Sequence, residues 1–245
     1  MNKKILKLIL EIKKDHPFWG YRRVWAYLCS KYGLMVNHKR IYRLMKMKNL
    51  LCQRNLRLKA KRTPMRSKPR ANRPNQFWGI DMTKVMIQDD GWAYLHVVLD
   101  WYSKKIVGWS VRGTSKTSDW IDALEMAVMA QFPNGIRENR KLHLISDNGC
   151  QPTSKSFSKH CNLLEIKQIF TSYSNPKGNA DTERVMRTIK EDLVYINEFR
   201  RKYEFYEAFE AWVERYNREY PHSALKYRTP YQAEREFVND NTKLN

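Results

Sequence analysis

The sequence predicts an α/β protein, a mixed five-stranded sheet with helices on both faces, preceded by a small all-helical unit. Three observations carry that reading. The chain holds 46 Lys and Arg against 25 Asp and Glu, a net charge of +21, yet residues 1–75 contain 22 of the basic residues and only two acids, Glu11 and Asp15. One end therefore attracts polyanions, and the other is a globular unit with acids to spare. At Gln76 the apolar spacing changes from helical to strand-like. From there, three strand runs in succession lead into helix, strand, helix and strand, the order of a mixed sheet covered on both sides.

The front unit, residues 1–50, reads as three short helices. Ile5, Leu8, Ile9 and Ile12 recur at helical spacing over residues 3–14. His16-Pro17-Phe18-Trp19-Gly20 interrupts, and a second helix follows from Tyr21 to Lys31, burying Val24, Tyr27 and Leu28. Gly33 suits its end and Asn37 the cap of a third helix over 38–48. That helix turns Ile41, Leu44 and Met45 inward and presents Lys39, Arg40, Arg43, Lys46 and Lys48. Three helices with a basic last one fit a helix-turn-helix-like DNA-binding unit. Residues 51–75 carry nine Lys and Arg, Lys61 and Arg62 among them, and three prolines. They read as a linker laid along phosphates.

The unit from 76 to 198 opens with strands over Phe77–Ile87, Ala93–Asp100 and Ile106–Arg112, the first two joined by an Asp89-Asp90-Gly91 turn. A helix over Ser118–Gln131 turns Ile121, Leu124, Ala127 and Val128 inward. The fourth strand is Leu142–Ser146, and the fifth is Ile166–Phe170 after a helix near 154–162. A polar loop over 171–178 precedes a helix capped by Asn179 and Asp181, with Glu183 in its first turn and an apolar stripe of Val185, Ile189, Leu193 and Ile196. The closing segment, 199–245, contains an amphipathic aromatic helix over Phe205–Tyr216. A last helix begins with Thr229 as cap and Pro230 at its first position.

Three acids stand where chemistry is done. Asp147 ends the fourth strand, Asp81 lies inside the first, and Glu183 opens a helix. Carboxylates from two strands and a helix can close around a pair of divalent cations, the apparatus for cutting and rejoining phosphodiesters. Asp100 also ends a strand, and spacing alone does not exclude it. Asp119, Asp122 and Glu125 read as solvated helix acids, and His222 as a packing residue. At about 100° per residue, Lys190 lies about 20° from Glu183 and shares its face.

The sequence Trp78-Gly79-Ile80-Asp81-Met82-Thr83, the Ser146-Asp147-Asn148-Gly149 turn, and Asn175-Pro176-Lys177-Gly178-Asn179-Ala180 leading into Glu183 carry a resemblance, with 35 residues between Asp147 and Glu183. Gly20-Tyr21-Arg22-Arg23, Lys39-Arg40-Ile41-Tyr42-Arg43-Leu44-Met45 and the closing Tyr216-Asn217, Pro221-His222 and Thr229-Pro230 extend it over nearly the whole chain. The chain resembles the Asp-Asp-Glu transposases of bacterial insertion sequences, relatives of retroviral integrases. Within them it is similar to the catalytic product of the second reading frame of two-frame elements.

The resemblance implies a ribonuclease H-like fold, and DNA cleavage at 3′ ends followed by strand transfer. It implies Mg²⁺, with Mn²⁺ as a substitute, bound as two ions by Asp81, Asp147 and Glu183, Asp81 bridging. Arg22, Arg23, Lys39, Arg40 and Arg43, in the basic helical unit that matches the family's front segment, are expected on DNA, and Lys190, on the face of Glu183, is expected to hold a terminal phosphate or base of the element's end. The partners the resemblance implies are double-stranded DNA, further copies of the chain, and a fusion with or partner from the upstream frame, for which the sequence shows no heptad run. The rivals are a metal-dependent nuclease of the same fold and a DNA-binding regulator or inactive remnant. The four Cys residues show no metal spacing. With no signal peptide and no run of about 18 apolar residues, the expectation is a cytoplasmic, nucleoid-associated protein.

Overall fold

The computed structural model describes residues 2–52, 69–136, 141–171 and 179–242. Most of the 51–75 linker and of the 171–178 loop, with Lys61, Arg62 and Asn175 to Gly178, lies outside the described residues.

The front unit is three helices, α1 (Asn2–Asp15), α2 (Tyr21–Tyr32) and α3 (His38–Met47). They close over Ile5, Ile9, Ile12, Val24, Leu28, Ile41, Leu44 and Met45, all buried. Helix α2 stops at Gly33, whose φ of 62° lets its N–H return to the Leu28 carbonyl. Helix α3 starts where the Asn37 side chain accepts from the Lys39 N–H at 2.8 Å.

The sheet has the order β3-β2-β1-β4-β5. Strands β1 (Phe77–Ile87), β2 (Gly91–Asp100) and β3 (Ile106–Arg112) run antiparallel, and β4 (His143–Ser146) and β5 (Lys167–Phe170) continue parallel to β1. Alternation along β1 sends Trp78 and Ile80 to one face and Gly79, Val85 and Ile87 to the other. On the first face lie α4 (Thr117–Gln131) and α5 (Lys155–Leu163). On the second lie α6 (Ala180–Ile189), a π-helical turn over Lys190–Val194, and α7 (Lys202–Glu219). Helix α8 (Pro230–Thr242) closes the chain, with the Thr229 hydroxyl accepting from the Gln232 N–H at 3.2 Å.

Three expectations change. Helix α6 ends in a π turn, closed by the Tyr195 N–H on the Lys190 carbonyl at 2.8 Å, so Ile196 lies beyond the helix and is exposed while Leu193 stays buried. Asp119 is buried rather than solvated; its carboxylate accepts from the Lys116 N–H at 2.7 Å and the Thr114 hydroxyl at 2.8 Å, holding the entry to α4. Helix α4 also faces the core through Trp120 and Ala123 besides Leu124 and Ala127, leaving Ile121 and Val128 half-buried. Its seat depends on Gly108 of β3, where a Cβ would fall 2.4 Å from the Ala123 carbonyl oxygen and 2.5 Å from the Ala127 nitrogen.

The front unit is seated on the second face. The Trp19 indole donates to Asp192 at 2.9 Å, and Lys31 and the Tyr27 hydroxyl both reach Glu219 at 3.0 and 3.1 Å. Burial raises the Asp192 carboxyl to about 6, against the pull of the Trp19 N–H and of Arg23.

Two stability changes are expected. Gly108→Ala drives a methyl group into the α4 backbone and lowers stability by about 1–3 kcal/mol in urea unfolding. Asp192→Asn keeps an acceptor for the indole but never ionises. The folded protein holds the Asp192 proton to higher pH than the unfolded chain, so wild type loses stability between about pH 4 and 6. Asn therefore gains about 1–3 kcal/mol over wild type above pH 6 and nothing below pH 4. Thermal melting across that range reads the difference.

Candidate functional site

The site grows from the pairing of β1 with β4. Gly79 stands opposite Ile145 in parallel register. Carried two residues further, that register directs Asp147, just past the end of β4, toward Asp81 on the same face. Asp81 is half-buried, and its carboxylate accepts from the Met82 N–H at 2.8 Å. Asp147 is exposed just past the strand end and accepts from the Gly149 N–H at 3.0 Å, shaping the turn that Asn148 and Gly149 make.

Helix α6 brings the third acid. It crosses β1 so closely that a Cβ on Gly79 would lie 2.0 Å from the Thr182 hydroxyl, 2.5 Å from the Trp101 indole nitrogen and 2.9 Å from Asn179 Oδ1. Glycine is required here by approach, since nothing larger than hydrogen fits. Three links hold the crossing. The Asn179 amide donates to the Ile80 carbonyl at 3.3 Å, and the Trp101 indole donates to the Thr182 hydroxyl at 3.3 Å. Lys104 pairs with Asp181 at 3.0 Å, both side chains largely shielded from water. Asn179 thus stands at the cap position but makes no cap hydrogen bond; its side chain ties the helix to the strand instead. Glu183 follows Thr182 directly and is exposed, and its charge acts on the Asp81 carboxyl.

The three carboxylates lie close enough to repel one another. Burial, and then the charges of Asp147 and Glu183, push the Asp81 carboxyl up to about 6, while the Met82 N–H and Lys190 pull it down. Lys190, seven residues after Glu183 and about 20° round the helix from it, is a cation that acts on Asp81. Asp100 is sorted out by register. It pairs with Trp78 and points to the opposite face from Asp81. Both its oxygens are taken, one by the Asn75 N–H at 3.0 Å and the other by the Ser103 N–H at 2.9 Å and hydroxyl at 2.6 Å. Its task is to hold the turn that carries Trp101 and Lys104.

Converging carboxylates with Lys190 alongside suit a hard divalent cation, which favours oxygen donors. Among the described residues no three His, Cys, Asp or Glu side chains close into a ready cage. Asp147 and Glu183 are exposed on the rim, where their carboxylates can turn inward.

Two models described as integrase core domain match residues 71–176 and 164–230, together well over half of the chain, and an HTH-like domain model matches residues 1–57. The chain belongs to the transposase and integrase family. The transposase InsD for insertion element IS2 of Escherichia coli is 26% identical over 235 residues, covering 92% of this chain and 76% of its own. In fold, the chain is similar to a subunit of the simian T-cell lymphotropic virus intasome solved with the PP2A regulatory subunit B56 gamma. The TM-score is 0.56 at 19% identity, over 85% of this chain and 73% of that one. The HTLV-2 integrase catalytic core solved in complex with magnesium matches at a TM-score of 0.51 and 20% identity, over 67% of this chain and 99% of that one. The ribonuclease H-like sheet and the helix-turn-helix-like front unit are the architecture of this family member.

The basic residues expected on DNA fall into separate groups in this family member. Lys39 and Arg43 are exposed on α3 with Lys46, spaced along one face. Arg40 is half-buried and donates to Asn2 at 2.8 Å. Arg22 is exposed beside the Tyr21 ring, 5.6 Å from its centre. Arg23 instead lies over the Tyr220 ring at 4.5 Å and the Trp19 ring at 5.7 Å. The sequence signalled the acids but not Trp101, Thr182, Lys104 or Asp181, whose pairing is made only by the fold. Gly79 inside a strand was a legible signal of close approach.

Gly79→Ala tests the crossing. The added methyl displaces the start of α6, and Glu183 with it, while both strand acids stay in register. The expected outcome is a folded protein, checked by circular dichroism, whose strand-joining rate on DNA falls about 100-fold.

Proposed function

We propose that the chain makes 3′-OH ends on an insertion element and joins them to DNA by metal-dependent transesterification. The observation that carries this reading is the convergence of Asp81, Asp147 and Glu183 from β1, the β4 end and α6, with Lys190 on the same side.

Asp81, Asp147 and Glu183 would hold Mg²⁺, or Mn²⁺ in its place, as two ions. Cations bound there would supply the positive charge that lowers the pKa of an attacking water or hydroxyl and stabilises the leaving oxygen. Asp81 sits deepest and fixes the centre of the site, while Asp147 and Glu183 close it from the rim. The Gly149 N–H orients the Asp147 carboxylate, and the Gly79 crossing sets the height of Glu183 above the sheet. Lys190 places a positive charge next to the reacting phosphate. A metal-bound HTLV-2 integrase core of similar fold supports the choice of cation.

Lys39, Arg43 and Lys46 on the outer face of α3 would lie against the DNA, with Arg22 and the linker's Lys61 and Arg62 on phosphates. The units would run 1–50 for DNA binding, 51–75 as linker, 76–198 as catalytic core and 199–245 as helical extension. Working complexes would be multimers on DNA, with an upstream-frame product as fusion or partner, in the cytoplasm at the nucleoid. No described helix is long and apolar enough to cross a membrane.

Labelled oligonucleotides bearing the element's ends, taken from the DNA flanking the gene, test the reading. Joined products appear with Mg²⁺, vanish with a chelator, and fall at least about 1,000-fold in Glu183→Gln, which leaves end binding intact. Products that survive the substitution would remove Glu183 from the site. Tight binding without any joining would favour a regulator that occupies the ends.

Changing Lys39, Arg43 and Lys46 to Gln together should weaken binding to the ends. It should also reduce the dependence of log K on log salt by about one for each phosphate that is no longer neutralised. A titration of binding against salt measures both.

A further inference from the structure

The helix that carries Glu183 does not end at the active site. Lys190, at the start of the π turn, is on the acid's side, and Asp192 two residues on is buried on the opposite side, where it accepts the Trp19 indole N–H at 2.9 Å. At about 100° per residue Asp192 lies about 180° from Glu183. Thr188, on the same side as Asp192, meets the Tyr220 hydroxyl at 3.4 Å. The Trp19 and Tyr220 rings meet edge to face at 5.4 Å, and the Arg23 guanidinium covers Tyr220 at 4.5 Å. His16 stacks on Trp19 at 3.9 Å, and Tyr27 and Lys31 anchor to Glu219 beside it. A crevice of about 150 Å³ is left within this seam, lined by Trp19, Tyr27, Asp192, Arg215 and Tyr220 among others.

The seam joins two parts of the sequence far apart, residues 16–31 and 188–220. The Arg23 guanidinium lies over the Tyr220 and Trp19 rings, a cation–π contact that seats this side chain in the seam. Asp192 lies within the π turn over Lys190–Val194, and its buried carboxylate meets the Trp19 indole there.

We propose that Trp19, Arg23 and Asp192 are positioning residues that lock the DNA-binding unit onto the back of the Glu183 helix, so that DNA held by α3 meets the acid trio in one fixed orientation. The proposal rests on the transposition reading above for its purpose, and on the contacts themselves for the lock. Arg23 is thereby reassigned from DNA contact to the joint between the two units.

Two native thiols report the joint. Cys52 is exposed at the end of the helical unit, against Lys13 and the Pro17 carbonyl, and Cys150 is exposed three residues after Asp147. Spin labels on these two, in a Cys29→Ser background with buried Cys161 unlabelled, give an inter-unit distance by pulsed electron resonance without DNA or metal. Wild type and Asp192→Asn, which keeps the acceptor, should each show one narrow distance. Trp19→Phe, which keeps the ring but removes the N–H, and Arg23→Gln should broaden it.

The same two variants should bind element ends within about twofold of wild type yet join them roughly 10- to 100-fold more slowly, since small misplacements at a reacting centre have that effect. A broad distance in wild type would overturn the lock, and so would unchanged distances in both variants. Lost end binding by Arg23→Gln at an unchanged distance would return Arg23 to the phosphates. Broadened distances with full joining would remove the positioning role. A narrow wild-type distance in a protein that joins no DNA would count against the transposition reading, and with it the purpose assigned to the lock.

Discussion

The structure depends on one close approach, the crossing of α6 over β1 at Gly79. Two strand acids are brought together by sheet register alone, because parallel pairing repeats and places equivalent positions side by side. A helix has no such register against a sheet, so its position must be set by contacts. Here a missing side chain on the strand lets the Thr182 hydroxyl come within the space of a methyl group. Trp101, Lys104 and Asn179 then hold the helix in the gap. Without that joint the cluster would have two acids and a distant third.

The turn that supplies Trp101 and Lys104 is itself held by an acid. Asp100 is buried, and uses both oxygens on the backbone and hydroxyl donors of its own turn. Two aspartates in neighbouring strands therefore do different work for a geometric reason. Asp81 faces the helix that carries Glu183, whereas Asp100 faces the other way and stabilises the loop that grips that helix. The same economy recurs on α6 and the π turn after it. One side carries Glu183 and Lys190 to the reacting face, and the other carries Thr188 and Asp192 to the aromatic seam with the front unit.

Local signals in the chain were informative where local physics decides the outcome. The Asn37 cap, the Gly33 stop, the Asp-Asp-Gly hairpin and the alternation of β1 each depend on a few neighbouring residues, and each matches the structure. Signals failed where a distant element intervened, or where a neighbouring segment changed the local geometry. Asn179 has the chemistry of a cap, but the Ile80 carbonyl takes its side chain. Asp119 has the look of a surface acid, but the Thr114–Lys116 segment folds back onto it. Ile196 fits an α-helical stripe, but the helix ends in a π turn at Val194 before it is reached. Arg23 sits in a run of basic residues, yet Tyr220, nearly two hundred residues later, covers its charge.

By itself, the sequence determined the class of the protein. A charge excess confined to 75 residues, a switch from helical to strand periodicity at Gln76, and three acids at the ends and middle of those elements follow from residue order alone. They point to a DNA-binding front and a mixed sheet bearing a carboxylate site, because charge, periodicity and capping act over a few residues. Only the tertiary structure decided which acids share a face, what holds Glu183 close to Asp81, and that the front unit is bolted to the back of the same helix. Those facts depend on strand register, on an empty space above Gly79 and on contacts across most of the chain, and no short stretch of sequence contains them.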